Sequence, residues 1–161
     1  MTQIHEDMSY NDLKEFLQNE IKKITLNELY ELSFQFNDDV KYLPREYKKK
    51  YTESVLNVII NRYSSLKNDH DIYEGFINKN DFKQISTILS DKEDLIRYTM
   101  NLIVVYTTYF LKQPVHLPGT VFPGMVSVYT DGENYYCPVK KFHINNPQAT
   151  CKYCIAKITD D

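Results

Sequence analysis

The chain has 161 residues, of which 42% are hydrophobic and 25% charged, a balance typical of folded globular proteins rather than of disordered or fibrous ones. The formal net charge of -3 excludes a strongly basic protein, so no general attraction to nucleic acid or to anionic lipid is expected. The length fits a single domain over residues 1–161.

The N-terminal residues contain neither a basic segment nor an apolar one, so no targeting peptide is expected there. The longest uncharged run, residues 98–111, is shorter than the about 20 residues that a membrane-spanning helix needs. We therefore expect a cytoplasmic protein that does not contact membranes. In that compartment thiols stay reduced.

Helical periodicity begins after Ser9, which can cap a first helix. Thr25 and Glu28 have the spacing of a capping box and predict the start of a second helix, with an apolar stripe of Leu26, Leu29, Tyr30 and Phe36. Pro44 suits the first turn of a third helix ending near residue 66. The apolar face of the first helix is Leu13, Phe16, Leu17, Ile21 and Ile24. The predicted buried residues of the third are Tyr47, Tyr51, Val55, Val58, Ile59 and Tyr63.

Two shorter helices are predicted next, one from about Asp71 through Ile77 and one from about Asp81 to Leu89. Ser90 and Glu93 then form a capping box for a long helix that is apolar around most of its circumference and stops at Pro114. A helix of that kind belongs at the centre of a bundle. Residues 1–113 are therefore predicted to be a bundle of about five or six helices, and the fold class is mainly α.

The character of the chain changes in residues 114–161. Three of the four glycines and four of the six prolines follow Pro114. Asp131 and Gly132 mark a turn between two segments, 125–130 and 134–139, which together predict a small β-hairpin. We expect this segment to be a tail packed on the helices.

All three cysteines lie in that tail, and they predict a metal site. Cys151 and Cys154 form a C-x-x-C pair, whose thiolates can occupy adjacent corners of a tetrahedron around zinc. Cys137 supplies a third thiolate, but Lys140 stands where a second C-x-x-C would have its other cysteine. An odd number of cysteines in a reducing compartment favours a metal over disulfides.

The fourth ligand has two candidates. His116 begins a rigid loop rich in glycine and proline, and loops of this kind often position functional groups, so it is preferred. His143 lies closer to the cysteines in sequence and is the alternative. Zinc is the expected metal; a fourth position left open would instead suit a catalytic metal or an iron–sulfur cluster. A simpler interpretation than either the zinc site or the catalytic metal or iron–sulfur site is that the thiols are ordinary buried side chains.

Three motifs in one order resemble an uncharacterised protein family of archaea, chiefly methanogens. They are His116-x-x-Gly119-Thr120-x-Phe122-Pro123-Gly124, Tyr135-Tyr136-Cys137-Pro138-Val139-Lys140 and Cys151-x-Tyr153-Cys154. The resemblance covers about the last third of the chain. It implies a helical N-terminal part, an anaerobic archaeal cytoplasm, and a role for His116 rather than His143 beside the cysteines. It implies no activity.

The ligand set has no acid–base pair beside it, so the sequence predicts a non-enzymatic zinc protein that presents a surface to a protein partner. The alternative is a small metalloenzyme or iron–sulfur redox protein with an open metal position, in which Lys140 could bind an anionic substrate. A weaker alternative is a nucleic-acid adaptor that uses the basic residues of 45–50. The sequence does not indicate an oligomeric state.

Overall fold

A computed structural model describes residues 3–29, 31, 44–92, 94–116, 118–122, 126–142, 144–145 and 150–159. Its larger part is helical. The four longest helices of this part of the chain are α1 (Tyr10–Lys22), α2 (Arg45–Lys67), α3 (Lys79–Leu89) and α4 (Leu95–Tyr106). The chain is therefore mainly helical with small C-terminal sheets, as the sequence predicts.

Helix α4 does not end at Tyr106 but continues as a π-helical segment, Thr107–Leu111. Lys112 closes it in the left-handed conformation, with φ at 55°, and the Gln113 N–H donates to the Thr107 carbonyl at 3.0 Å. Tyr109 and Phe110 of this segment still belong to the main hydrophobic core. Such segments are rare inside helices and occur often at functional sites.

Two of the predicted helix starts are confirmed by their caps. The Ser9 hydroxyl accepts a hydrogen bond from the Asp12 N–H at 3.0 Å, which fixes the start of α1. Thr25 and Glu28 form the reciprocal capping box, with the Glu28 N–H 3.1 Å from the Thr25 hydroxyl and the Thr25 N–H 3.3 Å from the Glu28 carboxylate. Residues 26–29 continue this second helix, with Leu29 buried as predicted but Leu26 exposed, whereas Tyr30 and Phe36 lie outside the described residues.

The predicted helix from Asp71 is wrong. Residues 71–78 are not helical because their backbone bonds to the N-terminal segment instead: the Ile77 N–H donates to the Met8 carbonyl at 2.9 Å, and the Tyr10 N–H to the Gly75 carbonyl at 3.1 Å. Gly75 has φ at 97°, which side chains with a Cβ rarely adopt. Long-range strand-like pairing therefore replaces the local helix.

Two smaller predictions also fail. Ser90 does not cap the long helix, because its hydroxyl donates to the Thr87 carbonyl at 2.7 Å and so closes the end of α3, while α4 begins only at Leu95. Glu93, the other half of that predicted capping box, lies outside the described residues. Tyr47 was expected to be buried, but it lies exposed in the first turn of α2.

The main core forms where α1, α2, α3 and the loop after α2 pack against α4. The apolar face predicted for α1 is buried throughout, and so are Val58, Ile59 and Tyr63 of α2; the side chains of Tyr51 and Val55 are outside the described set. Ile103 and Val104 face the opposite side of α4, toward the tail. Helix α4 is thus buried on both sides, as its sequence predicts.

The described residues of the tail form two small sheets. Strands β1 (Val121–Phe122) and β2 (Val126–Ser127) pair antiparallel. Strands β3 (Tyr129–Thr130) and β4 (Tyr135–Cys137) form the predicted hairpin, with the Asp131 carboxylate accepting from the N–H groups of the turn. A strand that the sequence did not predict, β5 (Lys157–Ile158), pairs parallel to β4.

Among the described helices, none combines the length and the apolar character required to span a bilayer.

Candidate metal centre

Two of the three cysteines lie in one small cluster of buried side chains. Cys137 ends β4 and is buried with Val128 and Ala156, and Cys154 packs against the same cluster. Neither thiol is in a disulfide. The tail sheets therefore bring two sulfur atoms from separate segments of the chain into one neighbourhood.

Burial and backbone hydrogen bonds act on the ionisation of the Cys137 thiol in opposite directions. The backbone N–H groups of Val139 and Lys140 donate to it, and these bonds favour the ionised form. Burial acts in the opposite direction and is the larger effect, so the pKa of the Cys137 thiol is raised above its ordinary value. A metal that binds here would have to displace a proton.

Cys154 lies at the junction between the tail and the helical bundle. Its sulfur accepts a hydrogen bond from the Val115 N–H at 3.5 Å, and its side chain packs against Ile103 and Val104 of α4. Both described thiols thus receive backbone N–H donors, the kind of support that metal-bound thiolates usually have.

Two polar contacts hold the C-x-x-C segment in place. The Lys140 ammonium donates to the carbonyls of Cys154 and Ala156, at 2.7 Å each. The Thr108 hydroxyl, in the π-helical segment, donates to the Tyr153 carbonyl at 3.3 Å. Lys140 therefore joins the two cysteine segments, and its bonds to backbone carbonyls leave it poorly placed to bind an anionic substrate.

His116 follows Val115 in the chain and lies beside the Arg62 side chain of α2. The packed surroundings of the imidazole, and next the positive charge of Arg62, lower the pKa of His116 from 6.5 to about 4. The ring is therefore neutral at physiological pH, which is the form that binds metals.

The described part of the site does not form a complete ligand set. No three His, Cys, Asp or Glu side chains in these ranges lie together as a metal-binding group, so Cys137, Cys154 and His116 do not suffice on their own. The backbone of Cys151 lies in a 3₁₀ turn, Thr150–Tyr153, but its side chain is outside the described set. His143 is outside it as well.

Arg62 is a residue of this site that the sequence analysis missed. It is only 2% exposed, and it donates to the carbonyls of Val115 and Pro114 and to the side chain of Gln113. The sequence did contain a signal: Arg62 lies three residues after Ile59 and four before Leu66, both buried, so helical spacing places a cation on the buried face of α2.

The lowered pKa of His116 predicts an acid sensitivity of the metal-free protein. The folded protein favours the neutral His116 ring, whereas the unfolded chain takes up a proton on this ring below pH 6.5. The contribution of His116 to the free energy of unfolding is therefore full above pH 6.5 and is lost as the pH falls toward about 4. With a chelator present, the advantage of wild type over His116→Gln in unfolding free energy should shrink by roughly 1–3 kcal/mol across this range in urea titrations. The exposed His70 supplies the control, since His70→Gln should keep the pH profile of the wild type. Parallel profiles for wild type and His116→Gln would contradict the prediction.

Comparison with known proteins identifies relatives over nearly the whole chain. A family model described as "Uncharacterized protein conserved in archaea (DUF2115)" matches residues 9–159. A UPF0305 protein of Methanothermobacter thermautotrophicus is 31% identical, over 92% of this chain and 96% of the relative. A UPF0305 protein of Methanocaldococcus jannaschii is 26% identical, over 96% of this chain and 99% of the relative. No solved structure matches. The chain therefore belongs to this archaeal family of uncharacterised proteins.

Proposed function

We propose that this chain is a zinc-binding structural protein in which Cys137, Cys151 and Cys154 hold the metal and His116 is the fourth ligand. The observation that carries the proposal is the convergence of Cys137 and Cys154, from separate segments, in one buried cluster where both sulfurs receive backbone N–H donors. Cys151 precedes Cys154 by three residues, across the 3₁₀ turn. Zinc would supply tetrahedral bonds between the tail segments.

The environment of His116 supports it as the fourth ligand. Its neutral form is favoured, and the Val115 N–H beside it donates to the Cys154 sulfur. His143 remains the alternative, and substitution of each histidine distinguishes the two.

The proposal is tested by metal content. Protein purified without oxygen should contain one zinc ion per chain and no visible absorption. Cys151→Ser should lose the zinc and melt at a lower temperature, because one of four bonds to the metal is removed. His116→Gln should lower the zinc content and His143→Gln should not.

Lys152→Ser is the control, because it introduces serine at the exposed position between the two cysteines without removing a thiol. It should keep both the zinc and the melting temperature of the wild type. If Cys151→Ser also kept both, zinc binding by these residues would be refuted. Iron with sulfide in the purified protein would favour the iron–sulfur alternative.

We further propose that the tail presents a surface to a protein partner. Phe142 is 73% exposed beside the candidate metal centre, and Ile158 of the neighbouring strand β5 is also exposed. Large exposed apolar side chains that lie close together often mark interaction sites. A partner that co-purifies with the tagged protein should be lost from Phe142→Ser but retained by Ile72→Ser, which removes an equally exposed apolar residue elsewhere. Equal retention by both variants would exclude this surface.

A further inference from the structure

Arg62 is a buried cation whose hydrogen bonds go to neutral groups. Its Nε donates to the Val115 carbonyl at 3.2 Å, one Nη to the Gln113 side-chain oxygen at 3.0 Å, and the other Nη to the Pro114 carbonyl at 2.6 Å. Within the described residues no carboxylate pairs with it. A buried charge without a counter-charge costs several kcal/mol, so the charge of Arg62 calls for a partner.

The groups around Arg62 point to the cysteine cluster as that partner. The ionisable groups that favour its charge are Tyr106, Cys154 and Tyr135, whereas His116 is a neighbour that the same charge keeps neutral. Of these three, Tyr106 is itself held neutral, because burial and its hydrogen bond to Asp69 raise its pKa. Val115 connects Arg62 to the thiol directly: its carbonyl accepts from Arg62, and its N–H donates to the Cys154 sulfur.

The charge of the proposed zinc site matches this arrangement. A divalent cation bound by three thiolates and one neutral imidazole has a net charge of minus one, whereas two thiolates and two neutral ligands would give zero. A negative centre in a buried cluster is stabilised by nearby cations, because charges interact strongly where water is excluded. Lys140, which donates to the Cys154 carbonyl, is one such cation, and Arg62 on the other side of Val115 is a second.

We propose that Arg62 is a built-in counter-cation of a metal–thiolate centre, and that the site is therefore made for a divalent metal held by three thiolates and one neutral ligand. The inference rests on the proposed zinc function. It goes further by specifying the net charge of the metal centre and by giving a role to Arg62, a residue that the pattern of metal ligands does not identify. Arg62 acts through the metal ligands and is a positioning residue.

The test compares two substitutions that separate charge from hydrogen bonding. Arg62→Gln keeps a donor for the loop carbonyls but removes the charge, and Arg62→Lys keeps the charge. Zinc affinity, measured by competition with a chelator, should fall by about 10–100-fold in Arg62→Gln. It should stay within a few-fold of wild type in Arg62→Lys. Cobalt bound in place of zinc should give the same thiolate-to-metal bands in all three proteins, since the ligands are unchanged.

Wild-type zinc affinity in Arg62→Gln would overturn the proposal. An equally large loss of affinity in Arg62→Lys would also overturn it, because the loss would then come from the hydrogen bonds that Arg62 makes to residues 113–115 and not from its charge. The wild type gives an independent measurement if a variant does not fold. The intensity of the thiolate-to-cobalt charge-transfer bands in the cobalt-loaded wild type counts the thiolates that bind the metal. Three bound thiolates support a centre of charge minus one; two would make the centre neutral and overturn the role of Arg62.

The outcomes also separate the two proposals. A wild type that binds no zinc refutes the proposed function, and the inference falls with it. A wild type that binds zinc through three thiolates, with an unaffected Arg62→Gln, refutes only the inference.

Discussion

Asp69→Ala is expected to lower the free energy of unfolding by about 3–5 kcal/mol. Asp69 is 9% exposed, in the loop after α2, and its carboxylate accepts hydrogen bonds from Tyr106 at 2.6 Å and Tyr73 at 2.8 Å. Lys14 of α1 lies 3.7 Å from the other carboxylate oxygen, which also accepts the Asp71 N–H. The substitution would remove the carboxylate that pairs with the buried Lys14 and that accepts the short hydrogen bonds of Tyr106 and Tyr73, which is why the loss is large.

The pH dependence of the free energy of unfolding gives a second test of the hydrogen bonds around Asp69. Burial alone would raise the pKa of Asp69, but the hydrogen bonds from Tyr106 and Tyr73 outweigh it, and the pKa lies below its ordinary value of 3.8. The ionised carboxylate thus contributes its full stability above that value and loses it as the pH falls through the lowered pKa. The difference between wild type and Asp69→Ala should therefore shrink only in strong acid.

Urea titrations measure both effects, and the exposed Asp71 two residues later is the control. Asp71→Ala should change the free energy of unfolding by no more than about 0.5 kcal/mol. A loss below about 1 kcal/mol in Asp69→Ala would show that this network does not stabilise the junction of α1, α2 and α4.

Leu102→Ala is expected to cost about 2–5 kcal/mol. Leu102 is completely buried in α4, in the cluster to which all four long helices contribute. Removal of its side chain leaves a cavity that helices packed on several sides cannot collapse to fill, so both the lost burial and the cavity contribute. The melting temperature should fall by roughly 5–15 °C at this chain length.

Leu26 supplies the matched control, because it has the same side chain on a helical turn but is 64% exposed. Leu26→Ala should lie within about 0.5 kcal/mol of wild type. Similar losses in the two variants would mean that α4 is not the centre of the core.

Features of the fold that depend on neighbouring residues were predictable from the sequence. The cap at Ser9 and the box at Thr25 and Glu28 need only the residues three positions away, and the buried face of α1 follows from helical spacing. The hairpin between β3 and β4 follows from its Asp-Gly turn.

Features that depend on distant partners were not predictable in this way. Residues 71–78 have a helical apolar pattern, but their backbone groups form hydrogen bonds with the backbone of Met8 and Tyr10 instead. As a result, Ile72 and Phe76 are exposed. Strand β5 is only two residues long and finds its partner about twenty residues earlier in the chain. The π-helical segment after α4 has no sequence signal that we recognise.

In the candidate site, too, the residues with a local sequence pattern were predictable and the residue from a distant part of the chain was not. Cysteine spacing was enough to nominate Cys137 and Cys154, because ligand chemistry restricts which residues can bind zinc. Arg62 was missed because a charge that compensates a site needs no sequence spacing relative to the ligands. It comes from α2, more than fifty residues before His116.

The parallel pairing of β5 with β4 bears on how metal binding and folding are coupled. Ile158 lies opposite Cys137 in the register, so backbone hydrogen bonds already align the segment after the C-x-x-C turn with the strand that ends at Cys137. A metal bound at these cysteines would meet a preorganised chain, and little of its binding free energy would be spent on ordering the backbone. Small zinc fingers, in contrast, are unfolded without their metal. In this protein the metal would act as a ligand that shifts the equilibrium toward an already folded state, with a gain that grows only logarithmically with free metal concentration.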